Sequence, residues 1–418
     1  MNKMKDSGVE WIGEIPEEWD IRKLKFATTI HEEKYTSGNY QYIALENVES
    51  LSGKYIQTYS TYDLTGSKIA DCGDVIFGKL RPYLGKILEI TKKVCVSNEF
   101  AIFHGELINS TYLKYYMLSP GFLDSVTAST YGTKMPRANI DFISSCPITI
   151  PPTQEQQQIS ARLDQKCSQI DALITNQQTQ IEKLKAYKQS VITEVVTKGL
   201  DPTVPMKDSS VEWIGDIPAH WIANKIIRCF GVIGSGTTPK SADDSLFEGD
   251  INWIQSGDIN GSILSETRFQ ITKDVVNETS ALKIYSAPFI VIAMYGASIG
   301  NLSISRINAC TNQACCVLSK PVEGLLLEYL FYAFKPAKDF LTWKADGGGQ
   351  PNISQDKVKS LWIPIPPAQE QERIIQYLNV KCGQIDDLIA IKQAKIEKLN
   401  QYKRSLIYEY VTGKKEAS

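Results

Sequence analysis

The chain has 418 residues, with 45 Lys and Arg against 47 Asp and Glu, a formal charge of −2 and a pI of about 6.1. This length is too great for one compact core and allows two domains with connecting elements. The balance of charges excludes a generally basic protein, so any surface for nucleic acid must be local or completed by a partner.

Cysteine usage and the N-terminal residues bear on the compartment. The nine cysteines contain no CxxC pair and only one adjacent pair, Cys315 and Cys316, so they indicate reduced thiols and no zinc or redox motif. Residues 1–6 are polar, and no run approaches the ~18 apolar residues that would span a bilayer. These features predict a cytoplasmic protein.

The chain repeats itself in long modules. Residues 5–16 recur as residues 207–218, an offset of 202, and the stretch that begins at Thr153 recurs at Ala368, an offset of 215. The intervening segments 26–149 and 228–363 are far less alike. A framework that is kept in both halves around two different inserts predicts one scaffold presenting two related surfaces with separate specificities.

In chain order, residues 1–152 are predicted to form a first domain that is mostly β. Short runs of aromatic and β-branched residues, such as 40–44 and 75–77, are separated by Gly, Asn and Asp turns. Ser110–Leu118 is predicted to be a helix of this domain. The tryptophans of both opening segments, Trp11, Trp19, Trp213 and Trp221, are expected to anchor the long helices by packing rather than to stack on bases.

Residues 153–198 predict a long helix, because they follow a Pro-Pro pair and contain no Gly or Pro. A linker at 199–206 leads to a second mostly β domain at 207–367. A second long helix is predicted at 368–413, with Gly383 in its interior, and a short tail at 414–418 follows. At about 1.5 Å per residue, each helix would be roughly 65 Å long, far more than one domain needs for its own core.

Both long helices carry apolar residues spaced alternately three and four apart, which is a heptad seam. The apolar seam residues are Leu163, Ile170, Ile174, Ile181, Leu184 and Val191 in the first helix, and Leu378, Ile385, Ile389, Ile396, Leu399 and Leu406 in the second. Polar seam residues, namely Gln177, Lys188, Lys392 and Lys403, can fix the register.

Each long helix could pack along its own domain, but two matching seams in one chain favour an intramolecular antiparallel coiled coil. A head-to-tail repeat closes into a pseudo-twofold arrangement when the helices run in opposite directions. The predicted fold class is therefore α+β: two mostly β domains joined by two long helices that form an antiparallel coiled coil, with a pseudo-twofold internal repeat.

Four motifs occur in both halves of the chain. They are Trp-Ile-Gly-x-Ile-Pro-x-x-Trp, Ile-Pro-Pro-x-x-Glu-Gln, Lys-Cys-x-Gln-Ile-Asp and Ile-Glu-Lys-Leu-x-x-Tyr-Lys-x-Ser. In combination they resemble the DNA-specificity subunit of type I restriction-modification systems, over essentially the whole chain. Residues 234–240, Trp253 and 312–314 look like landmarks of that family's target recognition domains. The first domain has residues 31–38 in place of the commoner glycine-rich loop.

The resemblance implies a non-catalytic subunit that binds double-stranded DNA, each recognition domain reading one half of a split, asymmetric sequence. It also implies that the paired helices set the spacing and bind two DNA-methyltransferase subunits, which associate with restriction/translocase subunits. S-adenosylmethionine and ATP with magnesium are then expected in those partners, and no cofactor in this chain.

Candidate contacts to DNA come from polar and cationic loops. In residues 78–86 three cations alternate with an aromatic residue, a composition that suits phosphate contacts and an Arg presented to guanine. The alternative for residues 78–86 is an ordinary charged sheet edge, and the alternative for the other candidate segments is a plain turn. The candidates are Lys79, Arg81, Tyr83, Lys86, Lys92, Lys93, Tyr131, Lys134, Arg137, Asn139, Ser235, Thr237, Thr238, Lys240, Tyr295, Ser298, Gln350 and Asn352.

Catalytic motifs are not found in the sequence. The glycines at 231–236 do not form a dinucleotide fingerprint, residues 234–240 lack the Gly-Lys-Ser/Thr of a P-loop, and the three histidines share no spacing suited to a metal site or a triad. No Asn-Pro-Pro or Asp-Pro-Pro core of a methyltransferase occurs. Two hypotheses follow: a DNA-binding specificity scaffold, or a coiled-coil adaptor whose β-rich domains bind proteins or glycans.

Overall fold

The computed structural model describes residues 3–58, 62–130, 135–239, 248–343 and 352–416. The chain forms two compact units. Unit 1 comprises Met1–Thr179 and Lys392–Ser418, and unit 2 comprises Gln180–Ile391. Each unit therefore combines one β-rich domain with one part of each long helix, so the units are built from pieces that are far apart in sequence.

Unit 1 contains a four-stranded sheet, a three-stranded sheet and two two-stranded sheets. Its strands are β1 (Met4–Asp6), β2 (Glu14–Pro16), β3 (Asp20–Lys23), β4 (Thr28–Ile30), β5 (Tyr42–Ile43), β6 (Lys68–Ala70), β7 (Asp74–Gly78), β8 (Ile87–Glu89), β9 (Val94–Val96), β10 (Phe100–Gly105) and β11 (Pro147–Ile150). Its short helices are α1 (Ser110–Leu118), α2 (Pro120–Ala128) and α3 (Ile140–Ser145). The main sheet has the order β4-β10-β7-β8, the second sheet has the order β5-β9-β6, and the two-stranded sheets are β1-β2 and β11-β3.

Two long helices follow the β-rich domains, α4 (Thr153–Lys198) and, at the end of the chain, α9 (Ala368–Val411). Among the apolar seam residues, eight are buried and Ile174, Leu184, Ile389 and Leu399 are half-buried, so the heptad seam predicted from the sequence faces packed surface. The second helix ends at Val411 rather than residue 413, because Gly413 adopts a left-handed conformation with φ +69°.

Unit 2 repeats this plan with more strands. Its strands are β12 (Met206–Asp208), β13 (Asp216–Pro218), β14 (Ile222–Lys225), β15 (Phe230–Gly234), β16 (Ile251–Ile254), β17 (Ile263–Leu264), β18 (Phe269–Ile271), β19 (Phe289–Ala293), β20 (Leu302–Ser305), β21 (Ala309–Thr311), β22 (Cys315–Pro321) and β23 (Trp362–Ile365). Its short helices are α5 (Lys273–Glu278), α6 (Leu327–Phe334), α7 (Ala337–Trp343) and α8 (Gln355–Ser360). The main sheet has the order β15-β22-β19-β20-β17, and a second sheet the order β18-β16-β21.

The same ion pair holds the two long helices together in each unit. In unit 1, Lys403 Nζ on α9 donates to Asp171 Oδ1 on α4 at 2.7 Å. In unit 2, Lys188 Nζ on α4 donates to Asp386 Oδ2 on α9 at 2.6 Å. An early part of α4 thus contacts a late part of α9, and a late part of α4 contacts an early part of α9. This pairing is that of an antiparallel coiled coil, as the sequence predicts.

A tryptophan anchors the beginning of a long helix in each unit. Trp19 Nε1 donates to Glu155 Oε2 on α4 at 2.9 Å, and Trp221 Nε1 donates to Glu370 Oε2 on α9 at 2.8 Å. Both indole rings are fully buried. The packing role predicted for these two tryptophans is confirmed.

A tyrosine holds the end of the other long helix in each unit. The hydroxyl of Tyr112 on α1 lies 3.1 Å from the carbonyl oxygen of Val411, which also accepts from Thr149 Oγ1 at 2.7 Å. The hydroxyl of Tyr329 on α6 donates to the carbonyl of Pro364 at 2.9 Å and lies 3.5 Å from the carbonyl oxygen of Val196. The last carbonyls of a helix have no partner within the helix, and at the end of α9 hydroxyl groups outside the helix supply one for Val411. Within the described residues, no helix is long and apolar enough to cross a membrane.

Candidate nucleic-acid interface

Two loops at the ends of central strands have the same backbone in the two units. Recognition loop 1 (residues 79–86) follows β7, and recognition loop 2 (residues 294–301) follows β19. Each loop is closed by a hydrogen bond of 2.8 Å, from Gly78 N to the carbonyl of Lys86 and from Ala293 N to the carbonyl of Asn301. The loops are therefore equivalent by geometry, and they are separated by the same 215 residues as the long helices.

A second stretch of the chain forms hydrogen bonds with each recognition loop. The carbonyl of Lys79 accepts from Ala138 N, and the carbonyl of Met294 accepts from Ile353 N, each at 2.9 Å. Antiparallel bridges join Leu80 to Arg137 and Tyr295 to Asn352. The structure thus brings candidate residues from separate stretches of sequence, 79–86 with 137 and 295–298 with 352, onto one surface in each unit.

Arg81 stands out within recognition loop 1. Its φ is +50°, in the left-handed region, where the equivalent residue of recognition loop 2 is Gly296 with φ +72°. A non-glycine residue pays about 1 kcal/mol or more for this conformation. The Arg81 side chain is exposed, and no acidic side chain of the described residues pairs with it. The backbone therefore presents a free guanidinium beside Tyr83, whose ring is also exposed.

The other two cations of recognition loop 1, Lys79 and Lys86, are less exposed than Arg81. The ammonium of Lys86 donates to the carbonyl of Val48. Burial lowers the pKa of Lys79, and the neighbouring Lys68 and Arg137 lower this pKa further. Arg137 Nη2 donates to Glu99 Oε1 at 2.8 Å, while about half of its side chain remains exposed. Of the three cations seen in the sequence, Arg81 is therefore the one whose side chain is exposed, while Lys79 and Lys86 are half-buried.

Three further DNA-contact candidates of unit 1 lie outside recognition loop 1, and two of them have local partners. Lys93 Nζ lies 3.2 Å from Asp71 Oδ1, and the hydrogen bond with Asp71 raises the pKa of the Lys93 ammonium. Lys92 is exposed and lines a cleft of about 950 Å³ with Tyr40 and Tyr42. Asn139 is the N-cap of α3, where its side-chain oxygen accepts from Asp141 N at 2.7 Å. Capping alone accounts for an Asn at that position.

The glycine-containing segment of unit 2 packs against the landmark residues that follow β21. A side chain at Gly236 would lie 1.8 Å from the carbonyl oxygen of Thr311, so only glycine fits there. Thr238 Oγ1 donates to Gln313 Oε1 at 2.8 Å, and the carbonyl of Ser235 accepts from the hydroxyl of Tyr285. Thr237 is half-buried beside them. Ser235 and Thr238 thus already have partners within unit 2.

Recognition loop 2 presents neutral groups. The Tyr295 ring and Asn352 are exposed, and Ser298 is half-buried. Lys338 Nζ donates to Asn301 Oδ1 at 2.7 Å, at the residue equivalent to Lys86. The candidates Tyr131, Lys134, Lys240 and Gln350 lie outside the described residues. Sequence reasoning missed the tyrosines of the unit 1 cleft, although their density in residues 40–62 was a visible signal.

Comparison with known proteins gives the family. The model for the type I restriction modification DNA specificity domain matches residues 16–183 and 229–401. The chain belongs to this family. Each match contains one of the two recognition loops, so this family member carries two copies of the specificity domain, one for each repeat.

One relative and two solved structures match this chain over nearly all of its length. The specificity subunit assigned to the type I restriction enzyme MjaX of Methanocaldococcus jannaschii is 24% identical over 430 residues, 96% of this chain and 95% of the relative. A chain from a structure that addresses complex assembly and conformational transition of the type I R-M system has a TM-score of 0.73 at 19% identity, covering 95% of this chain and 98% of that chain. The HsdS subunit from Thermoanaerobacter tengcongensis has a TM-score of 0.50 at 18% identity, covering 96% and 98%. These structural likenesses confirm the predicted fold class.

Proposed function

We propose that this chain recognises a bipartite, asymmetric DNA sequence, with one half-site read by the β-rich domain of unit 1 and the other by that of unit 2. The observation that carries the proposal is the pair of recognition loops, which share backbone hydrogen bonds and differ in side chains. A common frame with variable chemistry at its tip suits two readers that approach DNA in the same way and select different bases.

The side chains of the two loops suit different base contacts. Arg81 offers a planar fork of donors that matches the O6 and N7 atoms of guanine in the major groove. Tyr295 and Asn352 offer neutral groups, and an asparagine amide matches the N6 and N7 atoms of adenine. The two half-sites should therefore differ, and recognition loop 1 should contribute more of the charge-dependent binding than recognition loop 2.

We propose further that each unit binds one DNA-methyltransferase subunit through the exposed side of its paired helices. Unit 1 exposes Leu173 on α4 and Tyr402 on α9, and unit 2 exposes the repeat equivalents Leu388 on α9 and Tyr187 on α4, each 46–52% exposed. Each pair lies within two residues of the ion pair of its unit. Large apolar side chains exposed at equivalent places support two identical partners.

In this assembly the chain is the non-catalytic specificity subunit. Restriction/translocase subunits join through the methyltransferase subunits, and S-adenosylmethionine and ATP with magnesium act in those partners. The near-neutral charge of the chain fits this arrangement, because the partners would supply most contacts to the DNA backbone.

Mapping of methylated bases tests recognition. The chain is assembled with its methyltransferase partner, and the modified motif is compared for wild type, Arg81→Ala and Tyr295→Ala. We expect Arg81→Ala to relax one position of one half-site and Tyr295→Ala to relax the other half-site only. If both variants alter the same half-site, the assignment of one reader to each unit is wrong. If the wild-type assembly binds no duplex DNA preferentially, an adaptor for protein or glycan ligands becomes the better hypothesis.

Stoichiometry tests the scaffold. Leu173→Asp and Leu388→Asp should each reduce the bound methyltransferase subunits from two to one, and the double variant should bind none, as measured by native mass spectrometry. Glu182→Ala, at a more exposed position of α4, is the control and should leave two subunits bound. Two bound subunits in the double variant would contradict these docking positions.

A further inference from the structure

Three potential metal ligands meet on neighbouring strands of unit 1. His31 follows β4, Asp74 begins β7 and His104 lies in β10. His31 Nδ1 lies 3.1 Å from Asp74 Oδ2, and His104 Nδ1 lies 2.9 Å from Asp74 Oδ1. One ligand atom from each residue falls within 4.8 Å of the others. Spacing in the sequence gives no sign of this cluster, because strand pairing in the main sheet creates it.

The carboxylate of this cluster is buried while its histidines reach the surface. The Asp74 side chain is 0% exposed, whereas those of His31 and His104 are 34% and 39% exposed. In the part of the chain that the structure describes, no Lys or Arg forms an ion pair with Asp74. Besides the two imidazoles, the Asp74 carboxylate has a backbone donor, Asp71 N, at 2.8 Å from Oδ2. No cation among the described residues balances its charge, and a buried carboxylate without one is costly. The cluster therefore has a charge that a cation would neutralise and an opening through which one could enter.

Unit 2 shows that the fold does not require these side chains. The strand register places Gly234, Phe289 and Ser319 at the positions of His31, Asp74 and His104, since β19 and β22 pair as β7 and β10 do. Phe289 is fully buried in the apolar core. An apolar residue is thus adequate at the position that Asp74 occupies in unit 1, and the His-Asp-His set is particular to unit 1.

We propose that His31, Asp74 and His104 bind one divalent transition-metal ion of the zinc class. Imidazole nitrogen and carboxylate oxygen are ligands that Zn²⁺ takes at about 2.0–2.2 Å, which corresponds to roughly 3.3 Å between neighbouring ligands of a tetrahedron. The observed separations of 3.1 and 2.9 Å, each to a different oxygen of Asp74, are close to that value, and one atom from each of the three residues lies within 4.8 Å of the others. Coordination through Nδ1 requires the proton of each imidazole to be on Nε2. The exposed side leaves a fourth position for water.

The ion would join three strands at one end of the main sheet. Asp74 is the first residue of β7 and Gly78 the last, so the site lies about 13 Å from the end of β7, where recognition loop 1 begins, at about 3.3 Å per residue. Its role is therefore distinct from base recognition. Metal binding should stabilise unit 1 and leave the recognised DNA sequence unchanged, so this site stands or falls independently of the proposed function.

The test uses the untagged full chain carrying Cys72→Ser, because Cys72 is the exposed cysteine and lies two residues from Asp74. We expect calorimetric titration with Zn²⁺ to give one ion per chain. Titration with Co²⁺ should give visible absorption bands without thiolate charge transfer. At 100 times the dissociation constant, Zn²⁺ should raise the unfolding midpoint of unit 1 by roughly 5 °C.

His31→Gln and His104→Gln are the informative variants, because an amide can still donate to Asp74 but is a poor ligand for zinc. Each should weaken Zn²⁺ binding at least 10-fold, with an unchanged unfolding midpoint in chelator. His220→Ala is the matched control, since this third histidine contacts Glu370 in unit 2. Absence of Zn²⁺ binding to the folded parent chain, or retention of full affinity in both glutamine variants, would overturn the site.

Discussion

The framework and the recognition loops of the two units differ in how far they have diverged. The framework keeps the same contacts twice, such as Trp19 with Glu155 and Trp221 with Glu370. The loops keep only their backbone hydrogen bonds, while Arg81 in one corresponds to Gly296 in the other. The shared framework thus fixes the position of each recognition loop, whereas the side chains of the loops differ between the units. In unit 1 the backbone at Arg81 adopts a strained conformation that exposes a positive charge.

The largest effects should come from breaking the frame in one unit. Trp19→Ala should destabilise unit 1 by about 3–5 kcal/mol, because it removes a fully buried indole, and Trp221→Ala should do the same to unit 2. Hydrogen-exchange mass spectrometry resolves the peptides of each β-rich domain. Equal loss of protection in both β-rich domains for either variant would show that they do not unfold as separate parts.

Unequal burial should make the two equivalent ion pairs unequal in strength. The Lys403 side chain is 7% exposed and Asp171 18%, whereas Lys188 and Asp386 are 24% and 56% exposed. Lys403→Ala leaves the Asp171 carboxylate with the ammonium of Lys54 at 2.6 Å, without hydrogen-bond geometry, and should cost about 1–3 kcal/mol because part of the charge stays compensated.

Lys188→Ala should cost about 0.5–1 kcal/mol, because its partner stays hydrated. Denaturant unfolding of each variant, with Lys403→Met and Lys188→Met as controls for the lost methylenes, measures the difference. Equal costs for the two alanine variants would mean that burial does not distinguish the pairs.

The charge of recognition loop 1 can be counted by salt dependence. Three phosphate contacts would lower the salt slope of DNA binding by roughly 2.7 units when Lys79, Arg81 and Lys86 are all replaced by Ala, at about 0.9 per contact. Since Lys86 is bonded to Val48 and Lys79 is partly buried, we expect roughly 0.9, the same as for Arg81→Ala alone. The measurement is affinity of the assembled complex against salt. A change in the salt slope three times that of Arg81→Ala would show that all three cations contact phosphates.

The smallest effect concerns the strain at Arg81. Arg81→Gly places in recognition loop 1 the residue that recognition loop 2 has at the same position, and should stabilise unit 1 by about 0.5–1 kcal/mol while weakening DNA recognition. Thermal unfolding and DNA affinity are measured on the same preparations, with Arg81→Ala as the control that loses the guanidinium and keeps the strain. A glycine variant less stable than the alanine variant would argue against a strained Arg81.

Repetition made the fold predictable from sequence. The boundaries of α4, the burial of the seam and the anchoring by Trp19 and Trp221 follow from patterns that occur twice. The site was less accessible. The hydrogen bond of Lys86 to Val48 spans 38 residues, and the meeting of His31 with His104 depends on strand pairing. Local composition identifies a charged loop, but only tertiary contacts decide which of its charges are free.

The end of each long helix also meets an opening hairpin, and the two units connect these parts differently. In unit 2, residues 200–204 run as backbone from the end of α4 to the hairpin of β12 and β13. In unit 1, the end of α9 is held to the hairpin of β1 and β2 by contacts, such as that of the Tyr408 hydroxyl with the carbonyl of Trp11. A peptide connection at this joint is thus dispensable for the fold of a unit. The order of these segments along the chain can then be permuted, and unit 2 should keep its fold when the backbone is cut within residues 200–204.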